Sequence, residues 1–251
     1  PAPGAAFSPG ASRDGIRFTK YSGNPILTFL PNQNEEEGIF SAGGTLDHEG
    51  NIVIYYGAMN AHSKTSESVT SDVRLASSVN GLQFRDMGVI LSYRDKAVWG
   101  RGDELFPVGT LHAGGKWHVY YIAKSGIRRR LIDHVLWRER IYWNLGIASG
   151  VSEEKLSESK GVITRGSYVI GGGDPVWLGQ DRIALFIVRD FTDTVIEART
   201  ASSLRPESLS EPVQVYRFHD LSHATTFFDR DKNTWFLYYL TRSAQSIRVK
   251  T

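Results

Sequence analysis

Phe106-Pro107-Val108-Gly109-Thr110-Leu111 runs through a short polar turn into Trp117-His118-Val119-Tyr120-Tyr121, and the chain spells this unit four times. The earlier copy is Phe40 to Leu46 leading to Ile52-Val53-Ile54-Tyr55-Tyr56. The later ones are Asp174-Pro175-Val176-Trp177-Leu178 leading to Ile183 through Ile187, and His223 through Phe228 leading to Trp235-Phe236-Leu237-Tyr238-Tyr239. Aromatic and β-branched residues of this kind fit a pleated, half-buried surface. Self-similarity every ~50–60 residues, with strands inside each unit, signals radial repetition of small sheets. The expectation is an all-β chain: a β-propeller of four-stranded antiparallel blades, its chemistry gathered on the first strands around a central cavity.

Length and composition agree. The 251 residues suffice for one domain with a sizeable core. A net charge of +2 provides no bulk attraction for nucleic acid or an acidic membrane. No apolar run approaches the ~18–20 residues of a membrane-spanning helix. The absence of cysteine excludes disulfides and thiolate metal sites. The opening Pro1-Ala2-Pro3-Gly4-Ala5-Ala6 lacks an initiator Met and reads as a processed or trimmed N-terminus. That points to a secreted or periplasmic protein, with the cytoplasm as the alternative.

Each hairpin is followed by a third strand and an outer strand. In blade one these are Val73 to Ser78, a turn at Asn80-Gly81, then Val89-Ile90-Leu91; an Asn-Gly turn between apolar runs is a strong hairpin signal. Blade two continues through Asn144 to Ser149 and Val162-Ile163, blade three through Val195 to Ser202 and Val213-Gln214-Val215. Blade four runs to Ile247 through Thr251, and its outer strand is expected from the other end of the chain, in Ser12 to Phe18 and Asn24 to Leu27. Residues 12–251 thus read as one four-bladed propeller closed by its N-terminal strand, preceded by a flexible segment over 1–11. An insertion over 124–143, carrying Arg128-Arg129-Arg130 and Trp137, interrupts blade two. It is either a solvated hairpin extension or a basic, aromatic flap over the cavity.

Trp99…Glu104-Leu105-Phe106-Pro107-Val108, Gly173-Asp174-Pro175-Val176-Trp177 and Ser222-His223-Ala224-Thr225-Thr226-Phe227-Phe228-Asp229 resemble inner strands of glycoside hydrolase family 43 and its fructosidase-like relatives. Ser77 through Phe84 and Asn24-Pro25-Ile26-Leu27 are similar to outer-strand phrases of those enzymes. The resemblance implies a propeller, five-bladed in typical members, that cleaves glycosidic bonds with cavity-facing carboxylates. Five blades are therefore the alternative count here. One carboxyl must arrive protonated to release the leaving oxygen while another acts as nucleophile or activates water.

The resemblance marks Asp174 as the principal catalytic candidate, with Asp103 or Glu104 ahead of blade two's inner strand and Glu37, in the Glu35-Glu36-Glu37 cluster, ahead of blade one's. It also places His223 beside the central channel, as a substrate contact or a ligand of a calcium or sodium ion; no cofactor is otherwise required. Trp177, Trp99 and Arg128 are candidate substrate contacts, and Trp137 and Trp143 further faces for a sugar ring. The departure is the family's glutamate-bearing acid blade, for which only one blade of room lies between Asp174 and His223. Glu197 falls in that interval, on a third strand behind the cavity wall. His112 and His118 read as structural or surface residues.

Other chemistries lack their signatures. Gly171-Gly172-Gly173 opens no helix and reads as a turn, not a phosphate loop. No His-Glu-x-x-His and no Gly-x-Ser-x-Gly is present. Ser12-Arg13-Asp14-Gly15 reads as a tight turn. Three functions stay open: a glycoside hydrolase-like enzyme acting on a small-molecule or oligosaccharide substrate, a non-catalytic carbohydrate-binding propeller, and a propeller recruited to another reaction on a small hydrophobic or anionic molecule.

Overall fold

The computed structural model describes residues 6–7, 10–24, 26–28, 36–61, 69–94, 104–126, 141–162, 169–173, 175–189, 194–219, 221–229, 231–241 and 248–250. Among them are strands and turns and no helix. Blade one orders Glu36–Leu46, Ile52–Ala61, Val69–Ser78 and Arg85–Leu91 from inner to outer strand. Blade two orders Leu105–Ala113, Lys116–Gly126, Ile141–Ser152 and Lys155–Gly161. In blade three the inner strand is split into Val169–Gly172 and Val176–Gly179, both on Arg182–Arg189, followed by Thr194–Ser202 and Val213–Phe218. Blade four orders Leu221–Asp229, Thr234–Thr241 and Arg248–Lys250. The four antiparallel sheets form a four-bladed propeller.

Two boundaries differ from the sequence reading. Blade two's outer strand is Lys155–Gly161, ahead of Val162-Ile163, because an outer strand exposed to water needs no apolar period. Residues 124–126 and 141–143 extend the second and third strands of that blade, and the remaining 127–140 lie outside the described residues.

The glycine run is a strand, not a turn. Gly171 and Gly172 belong to blade three's inner strand, and neighbouring inner strands approach closely at Gly172 and Gly173. A Cβ on Gly171 would meet the Ala224 carbonyl at 3.6 Å, one on Gly173 would meet Thr226 Oγ1 at 2.9 Å, and one on Gly172 would overlap Val108. The matched steps 171 to 173 and 224 to 226 also show that inner strands three and four run parallel, so their starts share one end of the ring.

The paired tyrosines hold the blades together. The first of each pair faces the following blade: Tyr55 donates to the Glu153 carbonyl at 3.2 Å and Tyr120 to the Pro206 carbonyl at 2.6 Å, both in turns after the third strand of the next blade. The second faces back onto its own outer strand, Tyr56 donating to Asp86 at 3.0 Å and Tyr121 meeting Ser159 at 2.6 Å. Burial pushes the phenols of Tyr55 and Tyr120 well up, so they remain donors at any working pH. Blade three carries Phe186 at this place, and its ring instead packs on Trp235 of blade four at 4.6 Å.

Tyr238 repeats the contact on the N-terminal segment, donating to the Gly15 carbonyl at 2.9 Å while Phe18 packs edge-on against its ring. The turn that receives it matches blade one's turn at Ser78–Gln83. Gly15 N–H bonds Ser12 Oγ as Gly81 N–H bonds Ser78 Oγ, both at 2.9 Å, and Asp14 and Asn80 each accept from the two residues after the glycine. Both glycines have left-handed φ, 78° and 72°. Farther along, Leu27 enters the cluster of Ile54, Tyr56 and Ala76 on blade one. The N-terminal segment therefore closes the ring from the seam, touching blade four with one end and blade one with the other. Among the described residues Arg248–Lys250 pairs with Thr234–Thr241 alone.

Tyr120→Phe leaves the Pro206 carbonyl unpaired at a buried seam. It is expected to cost about 1–3 kcal/mol and to lower Tm by roughly 2–4 °C per kcal/mol. Phe186→Tyr, where the ring packs on Trp235 instead, is expected to gain nothing; differential scanning calorimetry of the two variants checks both outcomes.

Candidate functional site

Glu104 stands at the head of blade two's inner strand and is 7% exposed. Its backbone bridges in parallel to Ser71 of blade one. The Ser71 hydroxyl locks that crossing, accepting from the Leu105 N–H at 2.7 Å and donating to the Leu105 carbonyl at 2.9 Å. Ser71 in turn pairs with Met59, and Met59 with Gly38. The ladder thus leads from Glu104 to Gly38, next to Glu37, across three strand spacings, or about 14 Å at ordinary strand spacing. Phe106, two residues on from Glu104, stacks on Trp143 at 5.5 Å and 15°.

The other candidates are distributed as follows. His223 lies on Leu221–Asp229, its backbone paired with Leu240 just after an irregularity in the ladder; such bulges recur beside active sites, where they re-aim a side chain. The side chains of Glu37 and His223 lie outside the described residues, as do Asp174, Asp103, Trp99, Arg128, Trp137 and Glu35 altogether. Gly173 and Pro175 bracket Asp174 at the break in blade three's inner strand. Trp177 is half-buried at the far end of that strand, packed on Leu111, Ala113, Ile183 and Ala201. It is not brought together with Glu104.

Glu197 has a different role from that of a free acid. It is 6% exposed, and both its oxygens are occupied: Oε1 by Arg189 at 2.7 Å and Oε2 by Arg199 at 3.2 Å. Arg199 also donates to the Ser210 carbonyl at 3.1 Å, which ties the triad to the loop ahead of the outer strand. A carboxylate so engaged is a structural anchor of blade three. Sequence reasoning did not single out Ser71, Arg189 or Arg199; a serine two residues into a polar strand start carries no pattern of its own.

Among the described residues no three His, Asp or Glu side chains gather to hold a metal ion, and no step below is routed through one. The arrangement supplies an enclosed carboxyl, a second acidic position at the start of blade one's inner strand, and an aromatic face between the inner and third strands of blade two.

The two histidines of blade two's hairpin are structural. His112 is exposed and stacks on Trp117 at 4.8 Å. His118 is buried, with Nδ1 2.7 Å from the Ser149 hydroxyl of the adjacent strand. Burial holds its pKa below the ordinary 6.5, with the Ala113 carbonyl opposing the shift in part.

No protein-family model and no curated protein sequence matches the chain. Solved structures do. A β-1,2-mannobiose phosphorylase from Listeria innocua, in complex with β-1,2-mannobiose, superposes with a TM-score of 0.65 at 13% identity, over 98% of this chain and 66% of that one. A family 117 glycoside hydrolase from the marine bacterium Zobellia galactanivorans gives 0.58 at 13% identity, over 85% and 66%. A thermostable family-43 glycoside hydrolase gives 0.58 at 14% identity, over 85% and 67%. The chain thus spans about two thirds of the length of these structures, and at such identity the likeness is one of fold.

The His118 shift has a signed consequence. A histidine neutral in the fold and protonated in the unfolded chain lends stability above its unfolded pKa, and that contribution is lost as pH falls through the window below 6.5. Tm is therefore expected to fall between pH 7 and pH 5, and His118→Gln to flatten that slope in a pH-resolved thermal melt. Equal slopes in the two proteins would refute this role.

Proposed function

We propose that this chain is a carbohydrate-active enzyme that breaks a glycosidic bond at the end of the ring where the inner strands begin. The observation that carries this reading is the position of Glu104, enclosed at the head of blade two and joined through blade one's ladder to the start of the strand that carries Glu37. Glu104 is assigned the general acid that protonates the leaving oxygen. Glu37 is assigned the base that takes a proton from the attacking water, and Asp174, with Asp103, a supporting carboxylate. Trp143, backed by Phe106, offers its face to the C–H groups of a sugar ring. His223, Trp99 and Arg128 complete the substrate contacts in this reading, and a calcium or sodium ion at His223 belongs to it as a structural group. The solved structures of similar fold include named glycoside hydrolases and a mannobiose phosphorylase, which supports the substrate class.

A second reading, sugar binding without turnover, is favoured by Glu197. The acid that blade three places on its third strand is consumed by two arginines and is unavailable for catalysis.

A panel of aryl arabinofuranosides, xylosides, fructosides and mannosides separates the two. Hydrolysis is expected, with Glu104→Gln and Asp174→Asn each lowering kcat at least ~100-fold and changing Tm little. A Glu104→Gln variant with full turnover would remove the assignment, and saturable sugar binding without turnover in the wild type would establish the second reading. If calcium is held at His223, EDTA lowers Tm; an unchanged melt rejects it.

A further inference from the structure

At the other end of blade two, away from Glu104, the seam with blade three opens into a cleft of about 220 Å³. The inner strand runs nine residues from Leu105 to Ala113 between the two places, roughly 30 Å at ~3.3 Å per residue. The cleft is walled on one side by the hairpin, third strand and outer strand of blade two. The loop after blade three's third strand forms the other wall, held against blade two by the hydrogen bond from Tyr120 to the Pro206 carbonyl.

Its polar lining has an unusual balance. Lys160 of blade two pairs with Glu207 of blade three at 3.3 Å across the seam, and Lys116 with Glu158 at 3.7 Å on the rim. His118 and Ser149 form the hydrogen-bonded pair on the inner wall. Two ammonium groups and two carboxylates with a buried imidazole give a site of no net charge. A free anion would meet both carboxylates, and a free cation both ammonium groups. A neutral polyol meets neither penalty, since each hydroxyl donates to a carboxylate and accepts from an ammonium. The ion pairs are solvent-exposed and worth little by themselves, so they open to a ligand at small cost. Leu204, 69% exposed, adds an apolar surface for the C–H face of a ring. The volume equals that of about seven waters in the liquid, space for a single sugar unit and not for a chain.

We propose that this cleft is a second carbohydrate site that holds one neutral monosaccharide unit, separate from the mouth where Glu104 stands. The proposal rests on the chemistry of the cleft and does not need the chain to be catalytic.

Isothermal titration of the full chain with methyl glycosides of glucose, galactose, mannose, xylose and arabinose tests it, with sodium sulfate and putrescine as charged probes. At least one neutral glycoside is expected to bind with Kd of about 1 mM. Lys160→Ala/Glu207→Ala is expected to weaken it at least tenfold, and Glu104→Gln to leave it unchanged. Leu204→Trp, which fills the opening from an exposed position without touching an ion pair, is expected to abolish binding and decides the matter should the double variant unfold. Binding that survives Leu204→Trp, the absence of any neutral glycoside binding up to ~100 mM, or tighter binding of sulfate or putrescine would each overturn the proposal. Glycoside turnover lost in Glu104→Gln with cleft binding intact, or the reverse, separates failure at the mouth from failure here.

Discussion

A propeller's blades touch only their neighbours, so the ring depends on what happens at each seam. Here the recurring element is a buried phenol that must find an acceptor in the next blade. A tyrosine at such a position packs its ring like any apolar residue, but its hydroxyl is stranded unless the following blade delivers a carbonyl to one place. That requirement fixes how far one blade can slide along another, which apolar packing alone does not. Blade three shows the converse: with Phe186 in place of tyrosine the seam is aromatic on aromatic, through Trp235. The N-terminal segment uses the same device. It offers Tyr238 a turn built hydrogen bond for hydrogen bond like Ser78–Gln83, so ring closure reuses a seam the fold already makes.

Near the axis the constraint is one of room. The inner strand of blade three passes between Val108 on one side and Ala224 and Thr226 on the other, and at Gly172 and Gly173 a Cβ would collide with Val108 and Thr226. The proline after Asp174 then splits that strand in two, both halves remaining on Arg182–Arg189.

What was legible in the sequence follows from these forces. The hairpins were legible because strands buried on both faces must be apolar and paired, as in Ile52–Tyr56 and Trp117–Tyr121. Lys155–Gly161 was not, since an outer strand facing water carries no apolar alternation. Gly171–Gly173 was misread as a turn because close approach by another blade leaves no trace in neighbouring residues. The tyrosine pairs were visible, yet their roles were not: Tyr120 and its acceptor at Pro206 are 86 positions apart. At the site, the head of blade two's inner strand was readable at Glu104, whereas Ser71 and the Trp143–Phe106 stack depend on contacts between strands that spacing does not encode.

Seam two to three shows why a blade interface can hold a site at all. Near the ring's Glu104 end, the side of blade three that faces this seam carries Glu197 between Arg189 and Arg199. Such buried ion triads add little stability over an apolar core of the same shape, because desolvation offsets the attraction. Their geometric demand is strict, however, since moving either arginine leaves an uncompensated charge. The triad anchors strands within blade three, and Tyr120, which reaches across the seam to the Pro206 carbonyl, sets the separation of the cleft's two walls. A cleft between two freely sliding sheets would fill by collapse. One whose walls are pinned by a phenol on the facing carbonyl keeps its opening, and its polar lining then faces solvent in a fixed arrangement that a small polyol can match.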